Sequence, residues 1–248
     1  MLYLISIGLC DENDLSLKGL ETAKSCDKLY AEFYTTKLDA DCVKLSKIIG
    51  KAVIELKRAD LEEDSKKLIE EAKTKNIGIL VGGDALSATT HLSILLDAKK
   101  AGVKTMIIHS SSMYTAVAET GLMLYKFGAT TTLVFPEKNY SPTSCYDTIL
   151  KNKNMGLHTL VLLDIKPPRY MNIKEGLEIL LEMENEKGGK LFSESVFLVV
   201  ASNFGSEKQK IKYGKISSLL KEDFGTPAVI IVPGELHFFE KEYLESLG

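Results

Sequence analysis

LVGGDALSATTHLSIL, residues 80–95, runs a short apolar strand into two glycines, an aspartate and then a helical pattern. In an open α/β sheet that order marks the carboxyl end of a strand, where main-chain N–H groups and helix N-termini are exposed to ligands. Gly82 and Gly83 allow a close backbone approach, and Asp84 offers an acceptor to a donor-rich ligand such as a ribose, an adenine amino group or a cationic amine. The same residues have a plainer reading, in which Asp84 or Ser87 caps the following helix. Local sequence leaves both open.

Outward from this turn, short β-branched runs alternate with helical segments. LYLISIGL precedes SLKGLETAKSCDKL, AVIEL precedes DLEEDSKKLIEEAKTK, and TMIIHS precedes MYTAVAETGLMLY. β-α-β order predicts parallel strands joined by right-handed crossovers. Asp60 followed by Glu63 resembles a capping box that opens the helix over 60–75. After about residue 110 the rhythm changes to TTTLVF, HTLVLLDIK, SVFLVVAS and PAVIIVPG, separated by polar stretches such as PEKNYSPTS and SEKQKIKYG. The reading is therefore α/β in two domains, 1–110 with a mainly parallel sheet and 111–248 with a mixed one. Within the second lies IKEGLEILLEMENEKGG, residues 173–189, whose apolar Leu177, Leu180, Leu181 and terminal Gly-Gly predict an amphipathic helix.

Composition narrows the function classes. At 248 residues and 45% hydrophobic the chain can bury a large core, and a net charge of −3 sets up no field that draws nucleic acid or an anionic membrane. Arg58 and Arg169 are the arginines among 31 basic residues, so the bidentate fork that reads guanine or clamps phosphate is nearly missing. Cys10, Cys26, Cys42 and Cys145 form no C-x-x-C pair, and the four histidines have no i, i+4 spacing, so no metal is expected and the cysteines read as reduced, in a cytoplasmic protein. MLYLISIGLC is too short to cross a bilayer and reads as a first strand. Ile7-Gly8-Leu9-Cys10-Asp11 is not G-x-G-x-x-G and no P-loop is present, so the expected ligand lacks a polyphosphate. His109-Ser110-Ser111-Ser112-Met113 forms a second strand-to-helix junction, where serine caps the helix or faces a ligand. Two such junctions suit a shared small-molecule crevice.

GDALSATTH, residues 83–91, resembles the G-D-P-L-x-A-T-T-H segment of the diphthine synthase family, within the tetrapyrrole-methylase-like, S-adenosylmethionine-dependent methyltransferases. The resemblance extends through SIGLCDENDLSLKGLETAKSCD, YAEFYTTKL, HSSSMYTAVAETGLMLYKFGATTTLVFPE, SPTSCYD, GLHTLVLLDIK, LLKEDFG and IIVPGELHFFEKEYL. It implies two α/β domains of the tetrapyrrole-methylase type, usually as a homodimer, with the methyl donor S-adenosyl-L-methionine in the cleft between them and S-adenosyl-L-homocysteine as its product. The implied reaction is N-methylation, through to the trimethylammonium, of a 3-amino-3-carboxypropyl group on one histidine of translation elongation factor 2, in diphthamide biosynthesis. Carried over by position, the cofactor-lining residues are Leu9, Asp84, Ser87, Ser112, Met113 and Leu163, with Phe204 and Val229 in a segment whose spacing departs from the family. Ala85 stands where the family usually has proline, which loosens the turn by freeing φ.

Methyl transfer from a sulfonium is an in-line displacement with a neutral leaving group, so positioning carries most of the catalysis and no catalytic acid or base is assigned. His91 reads as a packed or capping residue before it reads as a base. Asp164, Tyr34 and Tyr114 lie in matched segments where acidic or aromatic groups suit a product cation. Lysine-rich 208–215 and 151–153 could face a protein substrate, although a solvated lysine face explains them as well. Two other readings stay open: a corrinoid or porphyrin methylase, and a non-catalytic module that binds the cofactor or the elongation factor.

Overall fold

The computed structural model describes residues 1–138 and 142–247. Asn139, Tyr140 and Ser141, from the polar stretch and the start of SPTSCYD, lie outside the described residues. The chain divides into two compact units, Met1–Tyr114 and Thr115–Gly248.

In the first unit the elements are β1 (Leu2–Ser6), α1 (Leu17–Ser25), β2 (Lys28–Glu32), α2 (Cys42–Ile49), β3 (Val53–Leu56), α3 (Arg58–Glu62), α4 (Lys66–Thr74), β4 (Ile77–Val81), α5 (Leu92–Lys100) and β5 (Thr105–Ile108). The five strands pair in parallel in the order β3-β2-β4-β1-β5. Both faces are covered, as a parallel sheet requires. Ile5, Leu29 and Leu80 pack with Ala23 of α1 and Leu45 of α2, while Leu4, Ile79 and Val81 pack with Leu61, Leu68 and Ile94 of α3, α4 and α5. The connection from β1 to β2 and that from β4 to β5 run in opposite directions, so right-handed crossovers place their helices on opposite faces.

Two helix expectations are corrected. The segment 60–75 is not one helix opened by Asp60: Asp60 sits inside α3, its carboxylate accepting the Lys57 N–H at 2.7 Å, and the helix breaks before α4 at Asp64 and Ser65, whose side chains pair with Lys67 and Asp97. Helix α5 begins at Leu92, so neither Asp84 nor Ser87 caps it.

The second unit follows α6 (Met113–Ala116), which spans the boundary. It contains β6 (Thr131–Leu133), α7 (Ser144–Asn154), β7 (Thr159–Leu163), the small hairpin β8 (Ile165–Lys166) and β9 (Arg169–Tyr170), α8 (Ile173–Lys187), β10 (Phe197–Ser202), β11 (Lys210–Lys215), α9 (Ile216–Leu219), β12 (Ala228–Val232) and α10 (Phe238–Ser246). Its main sheet runs β11-β10-β12-β7-β6, antiparallel except for β6 against β7. The parallel-then-mixed pair of sheets is the arrangement the sequence predicts. Helix α8 starts in a capping box of Asn172 and Glu175 and stops at Gly188 with φ +65°. Leu177 and Leu180 bury against Leu133, Val161, Leu198 and Ile230 of the sheet. The stretch 206–214, read as a polar connection, instead supplies edge strand β11, whose lysines alternate with Ile211 and Tyr213.

Candidate functional site

Strands β1 and β4 are neighbours, yet the chain leaves them in opposite directions, which is where an open parallel sheet leaves a crevice at its carboxyl ends. Across that point Gly8 and Gly83 exchange two main-chain hydrogen bonds, at 3.1 and 2.7 Å, in an antiparallel bridge that closes two parallel strands. The reversal needs φ +116° at Gly8 and +67° at Gly83, conformations that a Cβ penalises. A Cβ on Gly8 would overlap Asp14, whereas one on Gly83 would meet nothing within 4 Å. The main chain at Gly83 is therefore open to an approaching group. Beside it Leu9 is half-buried, in a bend held by the Cys10 N–H donating to Asp14 Oδ2 at 2.6 Å.

Asp84 is buried and saturated. Its Oδ1 accepts the Leu86 N–H at 3.2 Å and the Ser87 hydroxyl at 3.4 Å, and its Oδ2 accepts His109 Nδ1 at 2.7 Å and the Ser110 N–H at 3.3 Å. Burial alone would push its carboxyl up, but the His109 bond and the two N–H donors outweigh that and hold it below the usual aspartate value. The side chain thus folds the turn over 84–87 and ties the end of β4 to the end of β5, leaving no spare lone pair for a ligand. Sequence reading missed His109 as a partner, because 25 residues separate the pair and only the sheet brings the two strand ends together.

The floor of the turn is also polar. Ser6 Oγ accepts the Ala85 N–H at 2.9 Å, a bond that proline at this position could not make. The Ala85 carbonyl in turn accepts the Thr89 hydroxyl at 2.6 Å and lies 3.1 Å from His91 Nδ1. His91 is buried, with Nε2 3.7 Å from Oε1 of the equally buried Glu32. Glu32 accepts the N–H groups of Tyr34 and Thr35 and the Thr35 hydroxyl. His91 is a packed residue beneath the turn. Burial pushes the Tyr34 phenol up, and Arg58 lies over its ring. Tyr114 is exposed. Of the other expected residues, Ser112 is buried and Met113 half-buried at the start of α6. Leu163, Phe204 and Val229 are buried in the second unit, at the end of β7, after β10 and in β12. Asp164 spends its carboxylate on the N–H groups of Phe135 and Ile165.

Among the described residues no three His, Cys, Asp or Glu side chains converge to hold a metal ion, and no helix is long and apolar enough to cross a membrane.

The sequence model of the Tetrapyrrole (Corrin/Porphyrin) Methylases matches residues 1–220. A diphthine synthase of Methanocaldococcus jannaschii is 48% identical, over 100% of this chain and 98% of its own length, and one of Methanococcus aeolicus is 45% identical with the same coverage. The chain belongs to the tetrapyrrole methylases, among the diphthine synthases. Solved structures agree with that placement. A diphthine synthase crystal structure superposes with TM-score 0.91 at 37% identity, covering 100% of this chain and 95% of that one, and a diphthine synthase candidate from Entamoeba histolytica with TM-score 0.92 at 40% identity, covering 100% and 98%. Membership of the diphthine synthases makes the chain an enzyme, a methyltransferase, and sets aside the reading of a non-catalytic module.

A methyl donor of the S-adenosylmethionine kind has no polyphosphate to cradle and presents a cationic methyl-sulfonium centre with ribose and adenine donors. The open main chain at Gly83, the half-buried Leu9 and the absence of a glycine-rich phosphate loop fit such a group.

Proposed function

We propose that this methyltransferase uses S-adenosyl-L-methionine to trimethylate the 3-amino-3-carboxypropyl-histidine of translation elongation factor 2, giving diphthine and S-adenosyl-L-homocysteine in diphthamide biosynthesis. The observation that carries the reading is the full-length 48% identity to a diphthine synthase. The switch-point turn at Gly8 and Gly83 supports it, because a parallel sheet leaves a crevice for a compact ligand at such a point.

In this reading Leu9, the Gly83–Asp84 turn with Ser87, and Ser112 and Met113 contact the donor. Leu163, Phe204 and Val229 are proposed as further donor contacts. Asp84 acts through the turn that it holds, since its oxygens are engaged within the protein. The bound donor supplies an electrophilic methyl on a sulfonium. The residues then have to orient the acceptor nitrogen in line with that methyl and exclude competing water. The working form is a cytoplasmic homodimer with residues 1–110 and 111–248 as its domains.

The test is incubation with isotopically labelled S-adenosylmethionine and elongation factor 2, with and without the aminocarboxypropyl modification, followed by intact-peptide mass spectrometry. Three methyl increments on the modified factor alone are expected. Four would indicate an added methyl ester, and methylation of a tetrapyrrole in place of the factor would overturn the substrate assignment.

A further inference from the structure

We infer that His109, oriented by Asp84, is the general base that removes protons from the acceptor amine between methyl transfers. The inference rests on the amine acceptor proposed above.

Its ground is the position and tautomer of the four histidines. His91 is buried under the glycine turn, with Nδ1 on the Ala85 carbonyl. His158 is buried, with Nδ1 accepting the Gly234 N–H and Nε2 on Glu240. His237 accepts the Phe239 N–H through Nδ1, so its neutral form carries the proton on Nε2. His109 differs from all three. Its Nδ1 lies 2.7 Å from the carboxylate of Asp84, which only accepts, so Nδ1 carries a proton and the lone pair of the neutral ring is on Nε2. The side chain is 68% exposed while that of Asp84 is 11% exposed, so a fixed carboxylate orients a ring whose other nitrogen faces outward. This is the geometry in which a carboxylate stabilises the imidazolium formed when the ring accepts a proton. Among the described residues Asp84 is the charged side chain bonded to the ring, and Ser110 beside it bonds the Asp84 carboxylate and the Asp14 carbonyl. The position also suits the task, because His109 opens the 109–113 segment whose end carries the proposed donor contacts Ser112 and Met113.

The chemistry balances. A primary alkylammonium is mostly protonated at neutral pH and has no lone pair to attack with. His109 Nε2 takes one proton from the substrate ammonium. The freed lone pair forms the N–CH3 bond as the S–CH3 bond breaks with its electrons going to sulfur, and the sulfonium becomes a neutral thioether. The monomethyl and dimethyl products are again ammonium ions, and each loses a proton to the same base before the next transfer. The trimethylammonium has none to lose. Each proton passes from the exposed imidazolium to water.

Two measurements test this. Nitrogen NMR of the ligand-free protein should show the neutral form of His109 carrying its proton on Nδ1, and a neutral ring protonated on Nε2 overturns the proposal. In His109→Asn the side-chain amide keeps a donor for Asp84 but no base. Calorimetry with S-adenosylmethionine should show unchanged affinity, while kcat on the modified factor falls about 10²-fold at pH 7. The deficit should shrink towards pH 10, where solvent deprotonates the amine unaided. A loss that is equal at every pH, weakened donor affinity as the sole effect, or unchanged kcat each overturn the base assignment alone. Absence of transfer by the wild-type enzyme overturns the amine-acceptor reading, and this inference with it.

Discussion

The main-chain N–H of Ala85 donates to the hydroxyl of Ser6 at 2.9 Å, joining the end of β1 to the turn after β4 in the buried floor of the site. Proline at position 85 could not form this bond, because it has no N–H. Ser6→Ala leaves that N–H without its partner and is expected to cost about 1–3 kcal/mol. In an Ala85→Pro background the same change should be nearly neutral, because no N–H remains to be satisfied. Urea unfolding of the four proteins in this double-mutant cycle measures the coupling, and additive effects would contradict it.

Gly8 and Gly83 both have positive φ, but their surroundings differ. Gly8→Ala adds a clash with Asp14 to the backbone strain and should cost about 3 kcal/mol or more. Gly83→Ala meets open space, so its stability cost should stay near 1 kcal/mol, while its methyl group intrudes where the donor is proposed to approach. Unfolding midpoints and calorimetric titration with S-adenosylmethionine should separate them: Gly8→Ala fails chiefly in stability, Gly83→Ala chiefly in affinity.

Glu240 of α10 is buried among Lys126, His158 and the N–H groups of Met123 and His237. Burial raises its carboxyl, yet these donors outweigh burial and bring it down to about 2. Burial also pushes His158 down, and with Nδ1 accepting the Gly234 N–H the ring is neutral and donates through Nε2. A carboxyl depressed on folding contributes stability that is complete above its unfolded value and is lost as pH falls towards the folded one. The window therefore lies between about pH 4.5 and 2, and the contribution is about 3 kcal/mol. The depressed His158 acts with the same sign below its ordinary value, since only the unfolded chain gains that proton. Denaturant unfolding from pH 7 to 2.5 should show a steep acid limb that Glu240→Gln flattens, together with a loss of about 3 kcal/mol at neutral pH from the unpaired partners.

Burial pushes the Cys145 thiol up to about 12 and the Cys26 thiol up to about 11. Thiolate is the reactive form, so both should resist a thiol-specific disulfide reagent at pH 8 until the chain unfolds. Cys10 and Cys42 are half-buried, with thiols raised chiefly by burial and further by nearby acids, and should react first though slowly. Rapid labelling of Cys145 in the native protein would show that the core around α7 opens locally.

Particular elements show where sequence reading ends. Helix α8 was legible because its apolar period and its glycine stop lie within one short stretch, and the structure adds the Asn172–Glu175 start. The two sheets were legible because β-branched runs and their spacing distinguish crossovers from hairpins. Strand β11 was missed although Lys210 to Tyr213 alternates charge with apolar residues, because the run is short, lysine-rich and broken by Gly214, and it becomes a strand by pairing with β10 at a sheet edge. The break between α3 and α4 was hidden for a similar reason, as the acids around Asp60 suit a helix start and a helix interior equally.

At the site the same division holds. The sequence alone determined that a glycine-aspartate turn ends an apolar strand, that no phosphate loop accompanies it, and that the chain resembles diphthine synthases, since all three are properties of local residue order. Only tertiary structure decided what Asp84 does. Its four donors include two from the end of β5, and they meet it because β1 lies between β4 and β5 while the turn after β4 bridges across to Gly8. Hydrogen bonds act over about 3 Å, and which groups come that close is set by strand order and chain direction, which local sequence does not encode.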